Sequence, residues 1–150
     1  MSIRDEFPIL TRSSRGKPLV YLDNGATTQK PESVINAVAS YYRQHNANVH
    51  RAAHELAEEA TALLEDCRDK AQTFVNAAHR EEVIFTRGTT EGINLVAQVI
   101  AERVKPGQDI VISQLEHHSN IVPWQLLAQR TGANIKAIDI TETGDLDLAH

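Results

Sequence analysis

The chain has 150 residues, 41% of them hydrophobic, so it is long enough and apolar enough to bury a core. Its 15 lysines and arginines stand against 20 aspartates and glutamates, and no stretch concentrates basic residues, which argues against a nucleic-acid partner. No apolar run of the length needed for a secretory signal or a membrane span follows the charged N-terminus. We therefore expect a soluble, cytoplasmic protein that binds neither membrane nor nucleic acid.

The first 30 residues are predicted to be irregular, because glycine and proline interrupt them repeatedly. One short apolar run, 19–22, could form a strand. A helix is then predicted from Pro31 to about His45, since apolar residues recur there at spacings of three and four. A second and longer helix is expected over 53–75, with an acidic outer face. Its predicted inner face carries Leu56, Ala60, Leu63, Leu64, Cys67, Ala71 and Phe74.

Cys67, the single cysteine, cannot form an intramolecular disulfide, which agrees with a reducing compartment. Its position among leucines and alanines on the predicted inner face favours a small core residue over a reactive thiol.

From residue 82 onward short apolar runs alternate with helical patterns, which is typical of a parallel sheet with crossover helices. The chain ends soon after the third of these strands, so we expect an incomplete α/β architecture that is part of a larger protein. Residues 1–30 are interpreted as an N-terminal irregular segment, and 31–150 as the first part of a larger α/β domain. The predicted order is strand 83–85, helix 90–104, strand 110–112, helix 123–130 and strand 135–140.

The segment 85–92 lies where a strand passes into a helix and contains Gly88, Thr89 and Thr90. At such a place free backbone N–H groups, the positive end of the helix dipole and two hydroxyls meet at the carboxyl edge of the sheet, which favours a phosphate site. The simpler interpretation is that Gly88 makes a turn and Thr89 caps the helix. The glycine spacing fits neither a dinucleotide fingerprint nor a nucleotide-triphosphate loop.

The next predicted strand is followed by Glu116, His117 and His118, again at the carboxyl edge, where open α/β sheets hold their ligands. A histidine there could lie against a flat aromatic cofactor or move a proton at neutral pH. The alternative is that both histidines are ordinary loop residues.

Two further segments are candidate sites. Residues 48–54 precede the long helix and contain His50, Arg51 and His54; a helix would place the two histidines on one face, but no third metal ligand is evident, so we predict no metal site. A cap or a subunit contact is the better interpretation, in which Arg51 could meet a carboxylate. Residues 22–28 form a polar turn whose small side chains would let a ligand approach closely, although any tight turn favours such residues.

Four motifs together resemble the class V aminotransferase family, and within it the SUF-type cysteine desulfurases and selenocysteine lyases. The resemblance runs in register from about residue 7 to the end of the chain. The motifs are YLDNGATT at 21–28, VHRAAH at 49–54, RGTTEGIN at 87–94 and QLEHHSNIVPW at 114–124.

The resemblance implies a fold-type I enzyme that depends on pyridoxal 5'-phosphate and works as a homodimer. It implies that Thr89 and Thr90 bind the cofactor phosphate and that His117 stacks on the pyridine ring as a catalytic residue. The substrate, L-cysteine or L-selenocysteine, would be met by residues of the two remaining motifs. These are Asn24, Gly25, Ala26, His50 and Arg51.

In the family, sulfur leaves cysteine as an enzyme persulfide, L-alanine is released, and the sulfur passes to an acceptor protein for iron–sulfur cluster assembly. The family's catalytic lysine, the aspartate beneath the pyridine nitrogen and the nucleophilic cysteine are all expected beyond residue 150, as are the rest of the large domain and a small C-terminal domain. We therefore expect this chain alone to have no desulfurase activity. No lysine of the chain stands in the family's lysine motif, neither Lys17, Lys30, Lys70, Lys105 nor Lys136.

Other activities of the same class remain open, namely an aminotransferase, a kynureninase or an epimerase. A cysteine on a C-terminal loop of the complete protein would distinguish the desulfurase from them. A non-catalytic, truncated interaction partner of a full-length subunit is the alternative from another class.

Overall fold

The computed structural model describes residues 2–149. The chain forms two compact units, one up to Val83 and one from Ile84 onward. The last residue of the predicted domain, His150, lies outside the described residues. Within 2–149 no helix is both long and apolar enough to cross a bilayer.

The first unit begins with two short 3₁₀ turns, Ile3–Glu6 and Pro8–Thr11, and a small antiparallel hairpin of β1 (Ser13–Ser14) and β2 (Lys17–Pro18). The prediction of a strand at 19–22 is wrong, because the chain leaves the hairpin at Pro18 and no strand of the described residues pairs with this run. An apolar run becomes a strand only where a neighbour satisfies its backbone.

Two helices follow in the first unit. Helix α1 (Glu32–Ser40) continues as a wider π turn, Tyr41–His45, which confirms the predicted end near His45. Helix α2 (Glu55–Val75) is also as predicted; His54 Nδ1 accepts a hydrogen bond from the Ala57 N–H at its start, and Asn76 ends it with a φ of 55°. Asparagine tolerates this left-handed conformation at a helix end.

The predicted inner face of α2 is only partly correct. Ala57 and Ala60 are buried, but Phe74 is 91% exposed and Leu56, Leu63 and Cys67 are exposed as well. The interpretation of Cys67 as a core residue is therefore wrong. In the described chain α2 packs mainly against the π turn and the short 3₁₀ turn Arg80–Glu82, which together cover only part of its apolar face.

The second unit contains the α/β pattern. Strands β3 (Asp109–Ser113) and β4 (Asn134–Ile138) pair in parallel, and helix α4 (Val122–Thr131) crosses between them. This confirms a parallel sheet with a crossover helix, although the predicted strand at 83–85 is wrong. Val83 has extended backbone angles, yet 83–85 joins no sheet of the described residues.

Helix α3 (Thr89–Ile100) precedes β3 and ends before the predicted 104, in turns that lead to Gly107. Helix α3 contacts α4, and the core of this unit consists of Ala97 from α3 with Leu127 and Ala128 from α4. Gly132 ends α4 with a φ of 75°, the left-handed conformation that favours glycine at a helix C-terminus.

Candidate cofactor site

The N-terminus of α3 has no side-chain cap. Gly88 takes the cap position with φ 156° and ψ 177°, angles that other residues rarely adopt, and Thr89 is the first helical residue rather than the cap. The simpler interpretation, in which Thr89 caps the helix, is therefore wrong. The first-turn N–H groups of a helix have no partner within it, so this end can donate hydrogen bonds to an anion.

An ion pair beside this helix end neutralises the nearest charges. The Arg87 Nη2 atom lies 2.9 Å from Glu91 Oε1, and the Arg87 backbone N–H donates to Glu91 Oε2 at 2.5 Å. The guanidinium and the backbone N–H of Arg87 lower the pKa of Glu91, and the same carboxylate raises the pKa of Arg87. The carboxylate in the first turn is thus compensated and does not repel an anion with its full charge.

His117 lies in the connection between β3 and α4, at the start of a short 3₁₀ turn, His118–Asn120. Its Nδ1 accepts a hydrogen bond from the Ser119 backbone N–H at 3.2 Å and lies 3.0 Å from Ser119 Oγ. Because Nδ1 acts as an acceptor, a neutral His117 ring carries its proton on Nε2. The His118 ring packs edge-to-face against it, with 5.7 Å between the centroids.

A network of hydrogen bonds supports the loop that carries His117. The Ser113 hydroxyl donates to Glu116 Oε1 at 2.8 Å, and Asn120 Nδ2 donates to Glu116 Oε2 at 2.6 Å. The indole N–H of Trp124 donates to Asn120 Oδ1 at 2.8 Å. The hydrogen bond from Asn120, followed by that from Ser113, keeps the pKa of Glu116 below its ordinary value. The network joins the end of β3 to the first turn of α4 and fixes the loop between them.

Thr90 and His117 line one pocket of about 330 Å³, a size found among small-molecule sites. Thr89 precedes Thr90 at the same helix end. The carbonyl of Thr90 accepts a hydrogen bond from Asn94 Nδ2 at 2.8 Å, and Asn94 also lines the pocket, a contribution that the sequence analysis missed. The sequence signal for Asn94 was its spacing, because it follows Thr90 by four residues and so lies one turn further along the same helix face. The other lining residues are His118, Ser119, Val122 and Pro123.

The pocket suits a flat, phosphorylated ring. No aspartate or glutamate is among the residues described as lining it, while Thr90, from the uncapped first turn of α3, and His117 are. Hydroxyl and backbone N–H donors are the usual partners of phosphate, and an imidazole offers a face for stacking.

The predicted substrate residues Asn24, Gly25 and Ala26 lie in a turn of the first unit. Tyr21 holds this turn, because its hydroxyl donates to the carbonyls of Thr27 at 2.6 Å and Asp23 at 3.0 Å. Asn24 and Tyr21 line a separate cavity of about 330 Å³ within that unit. The sequence analysis included Tyr21 in the motif at 21–28 but did not predict that its hydroxyl holds the turn.

His50 and Arg51 lie in the turn before α2, outside any helix, so His50 and His54 do not share a helix face. The His50 Nε2 atom lies 3.1 Å from Glu65 Oε1, and the His50 N–H donates to Thr61 Oγ1 at 3.0 Å. Arg51 is exposed and has no ion pair within 2–149. In the described part of the chain, no three metal-ligating side chains lie close enough together to hold an ion.

Comparison with known proteins identifies the family of the chain. The aminotransferase class-V family model matches residues 20–150. A probable cysteine desulfurase from Streptomyces coelicolor is 54% identical over 99% of this chain, which covers 37% of that protein.

Two solved structures have the same fold over the chain. The apo structure of a cysteine desulfurase from Thermococcus onnurineus matches with a TM-score of 0.88 at 37% identity, over 98% of this chain and 35% of that one. The cysteine desulfurase CsdA from Escherichia coli matches with a TM-score of 0.75 at 40% identity, over 93% of this chain and 34% of that one. The chain thus spans little more than a third of the length of these relatives, and it belongs to the aminotransferase class-V family.

Proposed function

We propose that this chain forms part of a cysteine desulfurase that depends on pyridoxal 5'-phosphate and supplies its phosphate and ring contacts. The observation that carries the proposal is the single pocket lined by Thr90 and His117. Relatives at about half identity that are named cysteine desulfurases support the choice of reaction.

The phosphate is held by the hydroxyls of Thr89 and Thr90 and by the first-turn N–H groups of α3, while the His117 ring lies against the pyridine. When bound, pyridoxal phosphate withdraws electrons from the substrate Cα. His117 keeps its proton on Nε2, because Ser119 occupies Nδ1, and this proton can be donated within the pocket. The network of Glu116, Asn120 and Trp124 keeps the loop that carries His117 rigid.

On the substrate side we assign L-cysteine or L-selenocysteine to the turns that contain Asn24, Gly25 and Ala26, and His50 with Arg51. The guanidinium of Arg51 is suited to the substrate carboxylate, since it has no ion-pair partner within 2–149. The complete enzyme releases L-alanine and passes sulfur to an acceptor protein. We extend the proposal to a SUF-type, cytoplasmic homodimer that serves iron–sulfur cluster assembly.

The cofactor contacts are tested with pyridoxine 5'-phosphate, which lacks the aldehyde and so does not react with lysines. We expect it to shift the amide resonances of Thr89 and Thr90 and the ring resonances of His117, whereas pyridoxine without phosphate leaves Thr89 and Thr90 unmoved. Thr90→Val should weaken binding by roughly fivefold to tenfold through the lost hydroxyl. Thr143→Val, in an exposed turn of the same unit, should not. Equal shifts with both ligands would contradict the phosphate assignment.

The reaction is tested by sulfide release from L-cysteine. With dithiothreitol present to reduce the enzyme persulfide, we expect the complete enzyme to release sulfide and L-alanine in equal amounts, and the 150-residue chain with added pyridoxal phosphate to release none. The chain's own thiol, Cys67, lies on α2 in the first unit, and no residue of the pocket that Thr90 and His117 share is a lysine. Sulfide release by the short chain would overturn the division of roles.

A further inference from the structure

The turn that precedes α2 is tied to that helix at two points, both through His50. The His50 backbone N–H donates to Thr61 Oγ1 at 3.0 Å, and the ring Nε2 lies 3.1 Å from Glu65 Oε1. Thr61 and Glu65 are four residues apart and so lie on one face of the helix. The imidazole of His50 is thereby engaged with α2 instead of being free for a substrate.

Glu65 is the residue at which several segments meet. Its other carboxylate oxygen, Oε2, lies 3.2 Å from Arg68 Nε and 2.5 Å from Arg80 Nη2. Its side chain is only 26% exposed, so these contacts are partly shielded from water. A carboxylate with partners on both oxygens is fixed in orientation, and Oε1 is therefore held toward His50.

The conformation of His50 shows that the turn needs such a restraint. Its φ is 63°, in the left-handed region that residues other than glycine seldom occupy. Such a backbone persists where surrounding contacts over-determine it, and it recurs at functional sites. The next residue is Arg51, the exposed guanidinium without an ion pair within 2–149.

We propose that Glu65 is a positioning residue: through His50 it holds the turn in the left-handed conformation that presents Arg51 to the carboxylate of an amino-acid substrate. This inference rests on the proposed function for the role of Arg51 but not for the clamp itself. It also separates two residues that the sequence grouped together, because Arg51 meets the substrate and His50 supports it.

The clamp is tested by limited trypsin digestion of the native chain at the bond after Arg51, followed by mass spectrometry. A protease needs the turn to open before it cleaves there. Glu65→Gln should speed cleavage after Arg51 roughly fivefold relative to the unchanged chain. Glu58→Gln is the matched control, since Glu58 is an exposed glutamate of the same helix with no ion pair in the described residues.

Two more variants separate the clamp from a general role of Glu65 in stability. His50→Asn removes the imidazole but tolerates the left-handed backbone, so it should speed cleavage as much as Glu65→Gln, and the double variant should be no faster than either single one. Arg80→Gln removes one of the two partners of Glu65 Oε2 while Arg68 still holds that oxygen, so it should speed cleavage after Arg51 less than Glu65→Gln does. If Arg80→Gln matched Glu65→Gln while His50→Asn had no effect, the clamp would be refuted.

The link to the substrate is tested by kinetics of the complete enzyme. Glu65→Gln should raise KM for L-cysteine roughly fivefold and leave kcat within about twofold, the pattern of lost binding without lost chemistry. If Glu65→Gln left KM unchanged but still sped cleavage after Arg51, the positioning role toward substrate would be refuted and the contact between Glu65 and His50 would stand. Absence of cysteine turnover in the unaltered enzyme would refute the proposed function, and with it the role of Arg51, and would not alter the digestion result.

Discussion

The two units hold their candidate site residues in different ways. In the second unit, Thr90 and His117 lie at the end of a helix and in a strand–helix connection, and the parallel pairing of β3 with β4 fixes the scaffold around them. In the first unit, Asn24 and His50 lie in turns that are held by a few side-chain contacts. Backbone elements are set by many cooperative contacts, whereas a turn depends on one or two hydrogen bonds. We therefore expect the largest losses in the free energy of unfolding from substitutions in the second unit.

The chain's aromatic residues allow the two units to be followed separately. Its one tryptophan, Trp124, lies in the second unit, and all three tyrosines lie in the first. Tryptophan fluorescence therefore reports unfolding of the second unit, and tyrosine fluorescence reports the first.

The largest effect is expected from Leu127→Ala. Leu127 is 2% exposed in the core of the second unit, and removing such a side chain lowers the free energy of unfolding by about 3 kcal/mol through lost burial and a cavity. Urea denaturation followed by Trp124 fluorescence measures it. The neighbouring Leu126 is 58% exposed, so Leu126→Ala is the control and should cost less than about 0.5 kcal/mol. Equal losses would mean that α4 is not packed as described.

Gly132→Ala should come next, with a loss of about 2 kcal/mol in the same measurement. The residue has a φ of 75°, and an added Cβ would lie 3.2 Å from Pro106 Cβ. Gly144 has a similar φ of 85° but open space around it, so Gly144→Ala isolates the backbone strain at about 1 kcal/mol. If the two variants cost the same, the contact with Pro106 contributes nothing.

In the first unit, Phe74→Ala should change the free energy of unfolding by less than about 0.5 kcal/mol despite the large side chain removed. The ring is 91% exposed, so little burial is lost. Tyrosine fluorescence during urea denaturation gives the value. A loss comparable to that of Leu127→Ala would show that α2 packs on a surface that this structure does not contain.

The last prediction concerns pH. Hydrogen bonds from Asn120 and Ser113 lower the pKa of Glu116 in the folded chain. Its contribution to stability is therefore complete above the ordinary carboxyl pKa and is lost as the pH falls through the lowered, folded-state pKa. We expect Glu116→Gln to flatten the acid limb of the stability profile measured by Trp124 fluorescence. Glu142→Gln, at an exposed turn, should leave the profile unchanged.

The sequence predicted the helices and the parallel pair because both are encoded by periodicity within one segment. Helix α2 and strands β3 and β4 fall close to the predicted residues. The strands at 19–22 and 83–85 were wrong, since a strand requires a partner and no local pattern shows whether one is present. The burial of Cys67 and Phe74 was wrong for a related reason: periodicity defines a face but not what covers it.

The residues of the candidate site could likewise be predicted only where a local pattern places them. Thr90 and His117 could be placed together because helix N-termini and the ends of parallel strands converge at one edge. Neither the role of Glu65 nor that of Tyr21 could be found in this way, since each depends on a contact that only the fold creates. Glu65 lies far along the chain from His50, and the motif that contains Tyr21 does not show which atoms its hydroxyl contacts. The ligand-binding roles of Thr90 and His117 and the positioning role of Glu65 stay predictions that the experiments above test.

The π turn at Tyr41–His45 has a consequence for insertions and deletions. A π turn accommodates one residue more than an α turn, so residues after Ser40 are rotated by about 100° from the phase that α1 would otherwise impose. Loss of one residue within this turn would be absorbed by tightening it to α geometry, and the apolar stripe of α1 that includes Val34 and Val38 would keep its alignment. We therefore expect a one-residue deletion within Tyr41–His45 to be tolerated better than one within α1.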